Sequence, residues 1–178
     1  MTVSSNETAP AVFLDRDGTL MRDVDYCGDP KEVEVFPGTA DALRQLKRAG
    51  YKVIIITNQS GIARGYFSEE DYRSVEQEFL RQLGAGLIDA SYYCPDLPGT
   101  TSLRRKPAPG MIFEAQRDHG LDLSRSWFIG DKASDVACGR NAGTKTILVR
   151  TGYGAEETDC GADWIARHLA HAAEIILK

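Results

Sequence analysis

What the chain lacks narrows it first. Among its 178 residues no apolar run approaches the roughly 20 needed to cross a bilayer. The opening stretch, Met1-Thr2-Val3-Ser4-Ser5-Asn6-Glu7-Thr8, has neither a basic start nor an apolar centre, so no signal peptide is expected. The four cysteines (Cys27, Cys94, Cys138, Cys160) form no CxxC pair, which suits reduced thiols and a cytoplasmic location. Positive charge is in deficit: 21 Lys and Arg stand against 26 Asp and Glu, a net charge of −5. Binding of nucleic acid through bulk charge is therefore excluded, and any anionic ligand must be held by local features. No repeat, low-complexity tract or domain linker is present. With 42% hydrophobic residues, the chain can bury a core of its own, so one domain over residues 11–178 is expected after a flexible lead-in, 1–10.

What is present alternates strand-like and helix-like segments. Ala11 to Leu14 is a short apolar run, and Ala40 to Ala49 reads as a helix closed by Gly50. The β-branched run Tyr51 to Ile56 reads as a buried strand. Ser68-Glu69-Glu70-Asp71 is an N-cap with acids in the first turn, leading a helix to Leu83. Leu87–Tyr93, Trp127–Ile129 and Thr146–Val149 continue the strands, with Asp163–Ile165 as a short edge. Gly110–His119, Ala133–Asn141 and Arg167–Leu177 continue the helices. Strands alternating with helices of this length predict a single doubly wound α/β domain, with a parallel sheet and helices on both faces.

In such sheets ligands bind beyond the carboxyl ends of the strands. Four segments fall there: Asp15-Arg16-Asp17-Gly18-Thr19, Thr57-Asn58-Gln59-Ser60-Gly61, Arg104-Arg105-Lys106-Pro107 and Gly130-Asp131-Lys132-Ala133-Ser134-Asp135. Asp15, Asp17, Asp131 and Asp135 converging in a small volume repel one another and stay ionised only around a cation. All-oxygen ligation suits Mg²⁺. Lys106, Arg105, the Thr57 hydroxyl and the N–H groups of the Asn58–Gly61 turn form an anion cradle, most simply for phosphate. A cation site and an anion cradle around one carboxylate point to phosphoryl transfer through an aspartyl-phosphate.

These motifs, in this order, resemble the haloacid dehalogenase superfamily. Phe13-Leu-Asp-Arg-Asp-Gly-Thr-Leu20, Thr57-Asn-Gln-Ser-Gly-Ile-Ala-Arg-Gly65, Arg105-Lys-Pro-x-Pro-Gly-Met111 and Gly130-Asp-Lys132 are further similar to its heptose 1,7-bisphosphate phosphatases. The related histidinol-phosphate phosphatases share most of these strings. The resemblance implies Asp15 as nucleophile and Mg²⁺ ligand, and Asp17 as general acid and base that gives the metal its backbone carbonyl. It implies Thr57 and Lys106 at the transferring phosphoryl group, Asp131 as a further Mg²⁺ ligand and Asp135 supporting it. Arg105, Lys132, Asn58, Gln59 and Ser60 would hold the rest of a small phosphorylated metabolite. The Asp23-Val24-Asp25-Tyr26 stretch either lines the pocket by position, with Asp23 and Tyr26 at the substrate, or is a polar loop.

One departure stands out. These families carry a zinc-stapled loop with a Cys-x-His and a later Cys-x-Cys. Here Cys94-Pro95-Asp96 has an acid where the histidine belongs, and the paired cysteines are missing. One thiolate does not make a four-ligand site, so no zinc is expected. About 40 residues separate Asp17 from Thr57 and about 50 separate Thr57 from Lys106, which leaves no room for a large cap domain. The reading is a monomeric phosphatase without nucleic-acid or membrane partners. Removal of the 7-phosphate of a heptose bisphosphate leads, with histidinol phosphate or another small phosphomonoester as alternatives. The rival from another class is a receiver-type phospho-acceptor, or an inactive scaffold. Its acidic pair would precede the acceptor strand, an order opposite to the one found.

Overall fold

The computed structural model describes residues 8–178. One six-stranded, all-parallel sheet carries helices on both faces. The elements run β1 (Ala11–Leu14), α1 (Thr39–Arg48), β2 (Lys52–Asn58), α2 (Glu69–Leu83), β3 (Ala90–Cys94), α3 (Gly110–His119), β4 (Trp127–Gly130), α4 (Ala133–Ala142), β5 (Lys145–Val149), β6 (Trp164–Ala166) and α5 (Leu169–Ile176). In space the strands lie in the order β3-β2-β1-β4-β5-β6.

Strand periodicity divides the core. Val12, Leu14, Val53 and Ile55 pack with Leu43 and Leu46 of α1, Val75 and Phe79 of α2, and Ala172 of α5. Ala11, Phe13, Ile54 and Ile56 face the other way, onto Met111, Ile112 and Ala115 of α3 and Cys138 of α4. Each central strand is thus apolar on both sides, as a parallel sheet between two helical layers requires.

The strand order has a functional consequence. The chain winds outward from β1 through β2 and β3, then returns to lay β4 against the other side of β1. The crevice at that reversal, beyond the carboxyl ends of β1 and β4, is where doubly wound sheets bind ligands. Asp15 and Asp131 end those two adjacent strands, and the Asp15 N–H donates to Ile129 O at 3.0 Å. A receiver domain has the order 2-1-3-4-5 instead, so the sheet removes that alternative.

Several boundaries differ from expectation for visible reasons. The third strand begins at Ala90 rather than Leu87, because the Asp89 carboxylate takes the Val53 N–H at 2.8 Å and the Lys47 ammonium at 2.8 Å. β2 runs two residues further, which makes Thr57 and Asn58 strand residues paired with Tyr93 and Cys94. α5 starts at Leu169 because the His168 imidazole accepts the His171 N–H as its cap. Asp163 precedes β6, and its carboxylate accepts the Thr146 N–H and hydroxyl, each at 2.8 Å. Of the expected lead-in 1–10, residues 1–7 lie outside the described residues. Ala9 and Pro10 are held by backbone bonds to Gly120, Asp122 and Lys52. The segment between Asp17 and α1 folds as a small flap that buries Leu20 and Met21.

Candidate active site

The site is built on the strand ends. A cavity of about 250 Å³ opens there, and twelve of the thirteen expected residues line it: Asp15, Asp17, Asp23, Tyr26, Thr57, Asn58, Gln59, Ser60, Arg105, Lys106, Lys132 and Asp135. The thirteenth, Asp131, lies fully buried, 0% exposed, and contributes a carboxylate oxygen to a group with Asp15 and Asp135. The three ligand atoms lie within 4.8 Å of one another.

Lys106 organises the floor. Its ammonium is 2.6 Å from Asp15 Oδ1, 2.7 Å from Asp135 Oδ1 and 2.8 Å from Ile56 O. Burial alone would discharge this lysine, but the two carboxylates outweigh burial and hold it charged well above its ordinary range. Asn58 brackets its backbone: Oδ1 accepts the Lys106 N–H at 3.0 Å, and Nδ2 donates to Lys106 O at 3.2 Å. Asn58, expected at the substrate, therefore spends both ends of its amide on placing Lys106.

The carboxylates carry the opposite strain. Burial, only partly offset by Lys106, raises Asp15 to about 6, with Asp135 and Asp17 adding to the rise. Burial followed by Asp15 and Asp135 raises Asp131 to about 8. Asp131 Oδ2 accepts the Tyr153 N–H at 2.8 Å, whereas Oδ1 has no hydrogen-bond partner. An orphaned, buried carboxylate oxygen beside two more carboxylates asks for a divalent cation. The donor set is all oxygen, which fits Mg²⁺. Space for it is enforced by backbone: a Cβ on Gly18 (φ +86°) or on Gly152 (φ +54°) would meet Asp131 Oδ2 at 2.3 Å.

Asp17 lies outside that group of three. Its carboxylate is forked by Arg16 (Nε 3.2 Å, Nη2 3.0 and 3.1 Å) and accepts the Gln59 amide at 2.9 Å. The same Gln59 nitrogen donates to Thr57 Oγ1 at 2.8 Å. Gln59 thus ties the expected acid–base group to the expected phosphoryl-binding hydroxyl.

The rim is looser. Lys132 Nζ sits 3.5 Å from Asp23 Oδ2 and 4.5 Å from the centre of the Tyr153 ring, and the Tyr153 hydroxyl donates to Asp25 Oδ1 at 3.0 Å. Asp25 (φ +49°) and Tyr26 (φ +62°) are consecutive left-handed residues, a conformation that costs non-glycine residues about 1–3 kcal/mol each. Arg105 Nη1 donates to Asp96 O at 2.7 Å. Cys94 Sγ lies 3.4 Å from Asp96 Oδ2 and 3.7 Å from Ser102 Oγ.

Tyr153 and Arg16 are not among the expected residues, and Asp25, expected only as part of the Asp23–Tyr26 stretch, lines the cavity. Tyr153 follows β5, whose end belongs to the same rim, so the strand-end rule applied to Thr151-Gly152-Tyr153-Gly154 finds it. For Arg16, a charged residue between two aspartates gives no signal of burial; only the packed fold shows it.

Fold and site together define a phosphoryl-transfer hydrolase of the doubly wound α/β class. Residues 12–88 match the model of haloacid dehalogenase-like hydrolases, and residues 103–172 match a second model of that group. The chain is 40% identical over 192 aligned positions to the D-glycero-D-manno-heptose-1,7-bisphosphate 7-phosphatase of Thermosynechococcus vestitus, covering 90% of this chain and 97% of the relative. It is 38% identical to the D-glycero-beta-D-manno-heptose-1,7-bisphosphate 7-phosphatase of Escherichia coli, covering 97% and 96%. The crystal structure of the D,D-heptose 1,7-bisphosphate phosphatase from B. bronchiseptica, complexed with magnesium and phosphate, superposes with a TM-score of 0.86 at 32% identity, covering 94% of this chain and 98% of that one. The chain belongs to the haloacid dehalogenase-like hydrolases and is a phosphatase. Among the described residues no helix is long and apolar enough to cross a membrane.

Proposed function

We propose that the enzyme is a Mg²⁺-dependent phosphomonoesterase that works through an aspartyl-phosphate on Asp15 and removes the 7-phosphate of D-glycero-D-manno-heptose 1,7-bisphosphate. The observation that carries the chemistry is the Lys106–Asp15 contact of 2.6 Å at the floor of a cavity with Thr57 on its wall. Lys106 fixes one oxygen of Asp15 and leaves the other to attack phosphorus. Thr57 and Lys106 then hold the non-bridging oxygens. As the Asp15–phosphorus bond forms and the ester P–O bond breaks, Asp17 gives its proton to the leaving alkoxide. In the second half it takes a proton from the water that attacks the aspartyl-phosphate, releasing inorganic phosphate and restoring Asp15.

Asp15, Asp131 and the Asp17 carbonyl would hold the Mg²⁺, with Asp135 supporting them. When bound, the ion offsets charge on the transferring group and lets Asp15 remain ionised. The heptose assignment rests on the named relatives and on a rim that offers Arg105 and Lys132 to a second phosphate, with Asp23 and Asp25 facing sugar hydroxyls. Zinc has no part in this reading, because Cys94, Asp96 and Ser102 satisfy one another and Arg105 anchors the same loop. A monomer in the cytoplasm completes it.

The test is kcat/KM with Mg²⁺ across heptose 1,7-bisphosphate anomers, histidinol phosphate and common hexose phosphates. A heptose preference of about 100-fold or more, roughly 2.7 kcal/mol of transition-state discrimination, is expected. A flat profile, or a preference for histidinol phosphate, overturns the substrate while leaving the phosphatase.

A further inference from the structure

Arg16 is 1% exposed and heads the large, fully buried side chains of the molecule. Its guanidinium lies 5.5 Å above the Tyr72 ring of α2 and forks onto Asp17, and Nη1 has no partner. A buried guanidinium is expensive unless paired, so the carboxylate it pairs with is held as firmly as the arginine itself. The two oxygens of Asp17 are then unlike. Oδ2 accepts three contacts, from Arg16 Nε (3.2 Å), Arg16 Nη2 (3.0 Å) and Gln59 Nε2 (2.9 Å), whereas Oδ1 accepts one, from Arg16 Nη2 at 3.1 Å. Lone pairs remain free on Oδ1.

We propose that Arg16 is a positioning residue that fixes the Asp17 carboxylate through its fork and makes Oδ1 the oxygen that gives and takes the proton. The inference rests on the reading of Asp17 as general acid and base. In the forward half the Oδ1–H bond breaks as the ester P–O bond breaks, and the proton passes to the leaving oxygen. In the second half Oδ1 takes the proton of the attacking water. Oδ2 stays bound to Arg16 and Gln59 throughout, and Gln59 carries the same constraint to the Thr57 hydroxyl.

A lysine at position 16 keeps a positive charge but cannot fork, so it separates positioning from charge. Arg16→Lys and Asp17→Asn are compared with wild type on an alkyl phosphate, glucose 6-phosphate or the heptose bisphosphate, and on p-nitrophenyl phosphate, whose leaving group needs little protonation. Read as kcat/KM, which reports the first half-reaction, Asp17→Asn falls by about 10²–10⁴-fold on the alkyl ester and far less on the aryl ester. Arg16→Lys follows the same pattern, with about a 10²-fold loss on the alkyl ester and under about fivefold on the aryl one. If Asp17→Asn loses both substrates equally, the acid role of Asp17 fails. If Asp17→Asn discriminates but Arg16→Lys is equal on both substrates, Arg16 is structural and the proposal falls.

A second measurement needs no variant. In a crystal structure of the wild-type enzyme with Mg²⁺ and orthovanadate, Oδ1 of Asp17 faces the apical oxygen and the Arg16 fork is intact. An Asp17 that has left Arg16, or that presents Oδ2, overturns the proposal even if Arg16→Lys does not fold.

Discussion

Floor and rim of the same cavity are built on opposite rules. On the floor Asp15, Asp131, Asp135 and Lys106 are buried, and each is held by backbone or by an ion pair. On the rim Tyr26 and Tyr153 are half exposed, the ion pair Lys132–Asp23 is long, and two residues sit in left-handed backbone. In the proposed function the floor does the chemistry common to phosphate esters, and the rim selects what the phosphate is attached to. Catalysis and specificity then part along this boundary: a substitution below should remove rate, and one above should move KM and preference.

The largest effect is expected at the nucleophile. Asp15→Asn should lose turnover by at least about 10⁴-fold with the fold intact by circular dichroism. A variant that keeps more than a few per cent of the wild-type rate would break the covalent account. Next, Lys106→Met should lower kcat by about 10²–10³-fold and also destabilise the protein by roughly 3 kcal/mol, because it leaves Asp15 and Asp135 facing each other without their cation. A drop in activity with an unchanged Tm would contradict that pairing.

The floor also predicts a pH signature. Asp15, raised to about 6, and Asp131, raised to about 8, have folded-state values above the ordinary 3.8. Folding therefore favours their protonated forms. The corresponding stability is fully present below 3.8 and is lost as pH rises through about 6 and then about 8. After EDTA treatment, Tm should fall steadily across that window. Saturating Mg²⁺ should flatten the fall, so its stabilising effect is larger at alkaline than at acidic pH. An equal Mg²⁺ effect at both ends would mean that these carboxylates do not hold the ion.

Smaller effects belong to the rim. Tyr153→Phe cuts the bond to Asp25 and should raise KM for the sugar bisphosphate by a few-fold to about tenfold, with kcat within about threefold. A pure kcat defect there would erase the distinction between floor and rim. Smallest of all, Cys94→Ser should leave kcat/KM within about twofold, since the thiol is only a weak donor to the Asp96 carboxylate, touches the Ser102 hydroxyl and does not line the cavity. Its metal content should contain no zinc, and zinc held at one per chain by wild type but lost in the variant would restore the metal to this loop.

The floor was legible before the fold because its residues are fixed by chemistry at strand ends. The alternation of β-branched runs with capped helices places Asp15, Thr57 and Asp131 on one edge of a parallel sheet, and the all-oxygen donor set fits the proposed Mg²⁺. What could not be read depends on where side chains turn. Asn58 and Gln59 look like phosphate-cradling polar residues, yet their amides are committed to Lys106 and to the Asp17–Thr57 pair. Arg16 gives no sign in the sequence that Tyr72 and Asp17 close over it. Strand limits slipped where a side chain replaces a ladder bond, as Asp89 does at Val53. Tyr153 entered from the β5 end, where Arg150 turns to the carbonyls of Gly154 and Glu157 and no carboxylate follows the strand directly to draw notice.

The most direct measurement is the stereochemical course at phosphorus, using a substrate whose transferring phosphoryl group is made chiral with oxygen isotopes. Transfer to Asp15 and then to water is two in-line displacements, so retention of configuration is expected. Inversion would mean that water attacks the ester in one step and that Asp15 is no nucleophile.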